Sequence, residues 1–124
     1  MLPSGLQMID GDTINALASQ QGLEALYGLT AAADGTRASA TALNYGLNRV
    51  ATVAGAADSV VLPPAIGGTM ALVQNAGASD MQVFAQGGDL INATAGATGV
   101  SQATGVSALY FCVLDGYWAR ILSA

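Results

Sequence analysis

A chain of 124 residues is long enough for one domain with a single core and a small appendage, and a second domain is not needed. Apolar residues make up 52% of it but charged ones only 9%, where about a quarter is usual for a soluble domain, so a surface of Ala, Gly, Ser, Thr, Asn and Gln is expected to touch protein over much of its area. Three cations, all arginine, against eight carboxylates give a net charge of −5 and leave no basic patch to neutralise phosphates, which speaks against nucleic-acid binding.

Residues 1–12 carry Pro3, Gly5 and Gly11 among Leu2, Leu6, Met8 and Ile9, with too little periodicity for a helix, and read as an extended arm. Its apolar side chains need burial, and a neighbouring subunit is as good a place as the chain's own core. Asp12 or Thr13 can cap a helix of about two turns in which Ile14, Leu17, Ala18 and Gln21 share a face and Gly22 ends it. Leu23 to Leu29 either continues that helix or pairs as a strand. The small-residue passage around Asp34-Gly35 is a turn and separates the arm, residues 1–42, from a β-domain, residues 43–124.

From Leu43 the chain alternates, with Leu47, Arg49, Ala51 and Val53 on one face and Asn48, Val50 and Thr52 on the other. Ser59-Val60-Val61-Leu62 is a strand stopped by Pro63-Pro64, which cannot donate to a ladder. Thr69 to Gln74 is a second, closed by Asn75 to Asp80, whose residues tolerate turn conformations. Met81 to Phe84 and Leu90 to Asn92 follow. Ala97-Thr98-Gly99-Val100-Ser101 then repeats six residues later as Ala103-Thr104-Gly105-Val106-Ser107. Such a period can mark a rung of a β-solenoid; with two copies and no third, the preferred reading is two strand starts across a turn. Val106 to Leu114 is nearly continuously apolar, as expected of a strand buried on both faces or in the middle of a sandwich. Asp115-Gly116 makes a two-residue hairpin turn into Tyr117 to Leu122. About seven to eight short strands predict a mainly β fold, a jelly-roll-like antiparallel β-sandwich.

Chemistry is poorly provided for. Without histidine there is no Ser–His–Asp site, and without lysine no Schiff base or phosphate-loop lysine. Asp58, Asp80, Asp89 and Asp115 offer formal carboxylate pairs, but each stands beside Gly, Ala or Ser at a strand end, where Asp serves turns. Asp10-Gly11-Asp12 lacks the rest of a calcium loop, and Cys112 reads as a small buried hydrophobe. No enzyme activity, cofactor or metal is expected. No run approaches 18 apolar residues and the first residues lack a signal-peptide pattern, so no membrane partner is expected either.

The succession Asp58-Ser59-Val60-Val61-Leu62-Pro63-Pro64-Ala65, Val73 to Gly77, Met81 to Phe84 and Gly88 to Asn92, with an aromatic strand and Trp118 near the end, resembles a short β-domain of tailed-bacteriophage virion proteins, among them capsid decoration (cement) and head-fibre or tail-fibre modules. The resemblance spans roughly Leu43 to Leu122. It implies a structural protein on the outer capsid surface, a homotrimer whose partners are itself and the major capsid protein; the apolar arm and the helix face after it, which lie outside the resemblance, offer Leu2, Leu6, Met8, Ile9, Ile14 and Leu17 as residues that contact the capsid or a neighbouring subunit. The alternative is a fibre module that recognises a host cell-surface glycan through Tyr117 and Trp118. Cross-strand aromatic packing accounts for Tyr110, Phe111, Tyr117 and Trp118 without a ligand.

Overall fold

The computed structural model describes residues 25–123. Eleven strands run in order: β1 (Ala25–Thr30), β2 (Thr41–Ala42), β3 (Gly46–Thr52), β4 (Asp58–Val61), β5 (Met70–Asn75), β6 (Met81–Phe84), β7 (Leu90–Ile91), β8 (Thr94–Ala95), β9 (Val100–Gln102), β10 (Ser107–Leu114) and β11 (Tyr117–Leu122). The fold is mainly β, as expected, with one short 3-10 turn at Arg37–Ser39 among the described residues.

The strands form a seven-stranded sheet in the order β1-β3-β5-β10-β11-β7-β8 and a four-stranded sheet in the order β2-β4-β6-β9. Successive strands from β1 to β6 therefore alternate between the two sheets, and their neighbours within each sheet are parallel. This is a solenoid-like coil. One turn takes 25 residues where Leu47 lies opposite Leu72, and 19 where Thr41 lies opposite Val60. The expectation of an antiparallel jelly-roll-like sandwich is corrected here. Turn residues show where strands stop, but the connections between β1 and β6 cross from sheet to sheet, and two successive crossings return the chain to a sheet in the same direction, so that strands such as β1 and β3 pair in parallel and not as hairpins. Between named strands, antiparallel pairing falls in the C-terminal part, where β9 pairs with β6, β8 with β7, and β10 with both β5 and β11; earlier in the chain there is one antiparallel bridge, between Ala32 and Ser59.

Leu23 to Leu29 resolves toward a strand from Ala25 onward. β1 and β2, which precede the expected boundary at Leu43, are hydrogen-bonded members of the two sheets. The arm of residues 1–12 and the helix of residues 13–21 lie outside the described residues.

The two six-residue copies behave as two strand starts. Gly99 and Gly105 both hold a left-handed backbone, φ 71° and 80°, and each delivers the chain into a strand, β9 and β10 respectively, of different sheets. The core draws on both sheets, with Val50, Val73, Tyr110, Ile91 and Trp118 from one and Val60, Met81 and Val83 from the other. β4 is buried on both faces because the β1–β2 connection lies over it. There Ser59 Oγ donates to the carbonyls of Asp34 and Thr36, and Arg37 donates to the carbonyls of Ala85 and Gly87.

Candidate functional site

The outward side of the seven-stranded sheet is built differently from the rest of the surface. In a strand every second side chain faces the same way, so residues held opposite one another on neighbouring strands line up as rows across the sheet. One such row runs Ala25, Leu47, Leu72, Leu109, Ile121 over five strands. Beside it Met70, Phe111 and Ala119 form a second row. A third row, Arg49, Gln74 and Ser107, is polar. Leu47, Met70, Leu72 and Ile121 are exposed, and Leu109 and Phe111 are half-buried.

Of the two readings of Val106 to Leu114, a strand buried on both faces or one in the middle of a sandwich, the first is corrected here. Ala108, Tyr110 and Cys112 point into the core, while Leu109 and Phe111 point out to a face that no described element seals. Period 2 decides which residues share a side, so Phe111, one position from buried Tyr110, has to face outward. The sequence signal was present in strands apolar at odd and even positions alike, Met70-Ala71-Leu72-Val73 and Ala108 to Val113. Such runs signal either double burial or an apolar face left on the outside.

Charge is arranged to match. The five carboxylates of the described residues are Asp34, Asp58, Asp80, Asp89 and Asp115, and none belongs to β1, β3, β5, β10 or β11. Arg49 is the one charge in the three rows, and its guanidinium donates to the Tyr27 carbonyl. At the β1 edge the face sinks into an apolar hollow of about 260 Å³ lined by Leu26, Tyr27, Leu47, Arg49, Leu72 and Gln74. A shallow depression of about 340 Å³ near Arg37 and Gln86 offers less, since Arg37 already serves two carbonyls.

The aspartates considered as carboxylate pairs hold turns together. Asp58 accepts the N–H of Gly55, Asp80 that of Thr104, Asp89 that of Ala65 and Asp115 that of Gly67. Of the hairpin aromatics, Trp118 and Tyr110 are wholly buried and only Tyr117 is exposed. The Trp118 indole N–H has no hydrogen-bond acceptor among the described residues. Cys112 is buried opposite Trp118, its thiol directed to the Leu114 carbonyl at 3.0 Å. Leu2, Leu6, Met8, Ile9, Ile14 and Leu17 lie outside the described residues. Among the described residues no helix is long and apolar enough to cross a membrane.

Comparison with family models, with curated proteins and with solved structures finds no match to this chain.

Proposed function

We propose that this chain is a structural virion protein that decorates and stabilises a bacteriophage capsid, binding the outer surface of the shell as a homotrimer. The observation that supports this reading most is the apolar side of the seven-stranded sheet, to whose described strands no carboxylate belongs, on a chain of net charge −5. A soluble monomer of this size covers such a face with charge; a protein whose working state is an assembly leaves it apolar. Burial of that area contributes about 25 cal/mol per Å², less the cost of association. In this reading Leu2, Leu6, Met8 and Ile9 make contact with the major capsid protein or a neighbouring subunit, together with Ile14 and Leu17. A glycan-gripping fibre module is the weaker reading, because a stacking platform needs open aromatic faces and only Tyr117 of the four hairpin aromatics is exposed.

The test is to incubate the purified full chain with shells that lack it and to reconstruct the particle. Trimeric density on the outer surface is the expected result. A chain that adds no density, and whose mass in solution is that of a monomer at micromolar concentration, refutes the reading.

A further inference from the structure

We propose that copies of this chain meet through the outward side of the seven-stranded sheet, with Leu47, Leu72, Leu109 and Ile121 at the centre of the contact and Met70 and Phe111 beside them. The inference rests on the homotrimer reading above and names the surface which that reading leaves open.

Three observations point to a second copy as the occupant. The first is charge. Each copy carries −5 overall, so two copies repel unless they approach by a side free of carboxylates, and the strands of this face contain none. The second is shape. The central row runs from the apolar hollow at the β1 edge to Ile121, which is 58% exposed on β11 at the level where β7 no longer pairs with that strand. A socket at one end and a protruding side chain at the other make a head-to-tail contact, and a head-to-tail contact that closes gives a ring such as a trimer instead of a two-fold dimer. The third is size. Five strands about 4.8 Å apart, over three rows along the strands, present on the order of 500 Å² per copy, so a closed ring of three buries about 1,500 Å² in all, roughly 500 Å² at each contact and less than a stand-alone specific interface. That size predicts an assembly that dissociates on dilution.

The experiment measures mass by light scattering on the full chain over a dilution series, for the wild type and for Leu72→Glu, Ile121→Glu and Ala103→Glu. Ala103 lies in the exposed turn between β9 and β10 and carries the same charge change away from the face. The expected result is that Leu72→Glu and Ile121→Glu weaken the trimer by tenfold or more in roughly the manner of a desolvated charge, while Ala103→Glu leaves it intact. Circular dichroism checks folding, and if Leu72→Glu misfolds, Ile121→Glu decides. A wild type that stays monomeric at every concentration removes the homotrimer reading and this inference with it. A trimer that survives Ile121→Glu overturns this inference alone. A photo-crosslinker placed at Leu72 gives a further reading: adducts to the same face of an isotopically distinct copy support the contact, and adducts confined to residues 1–24 of the same copy overturn it.

Discussion

The Tyr110 hydroxyl donates to Oε1 of Gln102 at 2.9 Å, and this bond ties the middle of the seven-stranded sheet to the last strand of the four-stranded one. The amide is used from both ends. Gln102 Nε2 donates to the carbonyls of Val73 and Val106, at 2.8 and 2.9 Å, and Asn75 Nδ2 in turn donates to the Gln102 carbonyl. A buried polar cluster with its partners in place fixes how the two sheets sit, because any slip strands a donor or acceptor away from water.

Burial pushes the Tyr110 phenol up to about 12, against the opposing pull of the Arg120 guanidinium. The unfolded phenol releases its proton near 10.0, so between those values the folded chain holds the proton more tightly. The stability this contributes is complete below pH 10 and is lost as pH rises toward 12, by about 2–3 kcal/mol. Chemical denaturation from pH 9 to pH 12 should show that loss. Tyr110→Phe should remove most of the slope, yet cost about 1–3 kcal/mol at neutral pH by leaving Gln102 Oε1 buried without its donor. An unchanged alkaline slope in that variant would assign the effect to another group.

The two copies of the six-residue repeat should respond differently to the same substitution. Both glycines have positive φ, so alanine strains the backbone by about 1 kcal/mol at either. At Gly105 a new Cβ meets nothing within 4 Å, whereas at Gly99 it would stand 2.7 Å from the Val83 carbonyl oxygen. Gly99→Ala should therefore cost a further 1–3 kcal/mol or so, as overpacking does. Equal melting temperatures for the two variants would contradict the close approach of the β8–β9 turn to β6.

The two large aromatics of the hairpin should also separate. Trp118 is wholly buried, and Trp118→Ala should cost about 3–5 kcal/mol. Phe111 lies half-exposed on the outer side, so Phe111→Ala should cost the isolated chain less, about 1–2 kcal/mol, and weaken self-association in addition. Thermal melts at low concentration, paired with mass measurements at high concentration, separate the two effects.

Removal of residues 1–12 tests the arm. The proposed contacts of Leu2, Leu6, Met8 and Ile9 amount to about 1.5–3 kcal/mol for each fully buried side chain, hence several factors of ten in capsid occupancy. Melting of the described fold should hardly move. Truncated protein that decorates shells as well as the full chain would make the arm a passenger and leave attachment to the sheets.

Strand positions were legible wherever turn chemistry bounded them. Pro63-Pro64 ends the stretch begun by β4, Asn75 to Asp80 separates β5 from β6, and Asp115-Gly116 turns β10 into β11 with Gly116 at φ 87°. Pairing partners were not legible, since a period of 2 says which side chains share a face and nothing about which strand lies alongside. Leu47 and Leu72 meet because two connections crossed to the other sheet in between, and those connections share no repeated sequence. β1 was ambiguous because Gly28 interrupts a short run whose exposure pattern barely alternates. The apolar outer rows were visible as composition but not as a surface, because only the sheet's register brings residues 47, 72, 109 and 121 together.

The position of β10 between β5 and β11 sets an order on biosynthesis. β5 ends at Asn75, yet the strand that closes its open side does not begin until Ser107. While the ribosome makes the intervening thirty or so residues, the nascent coil presents a bare row of backbone donors and acceptors flanked by Leu72 and Met70, the kind of edge on which chains join one another. Polypeptides released early, before Ser107, would keep that edge for good. The segment from Ser107 to Leu122, which pairs with β5 and then covers β10, thus acts as the chain's own guard against aggregation, and a premature stop ahead of it would remove the protection while leaving nearly all of the coil in place.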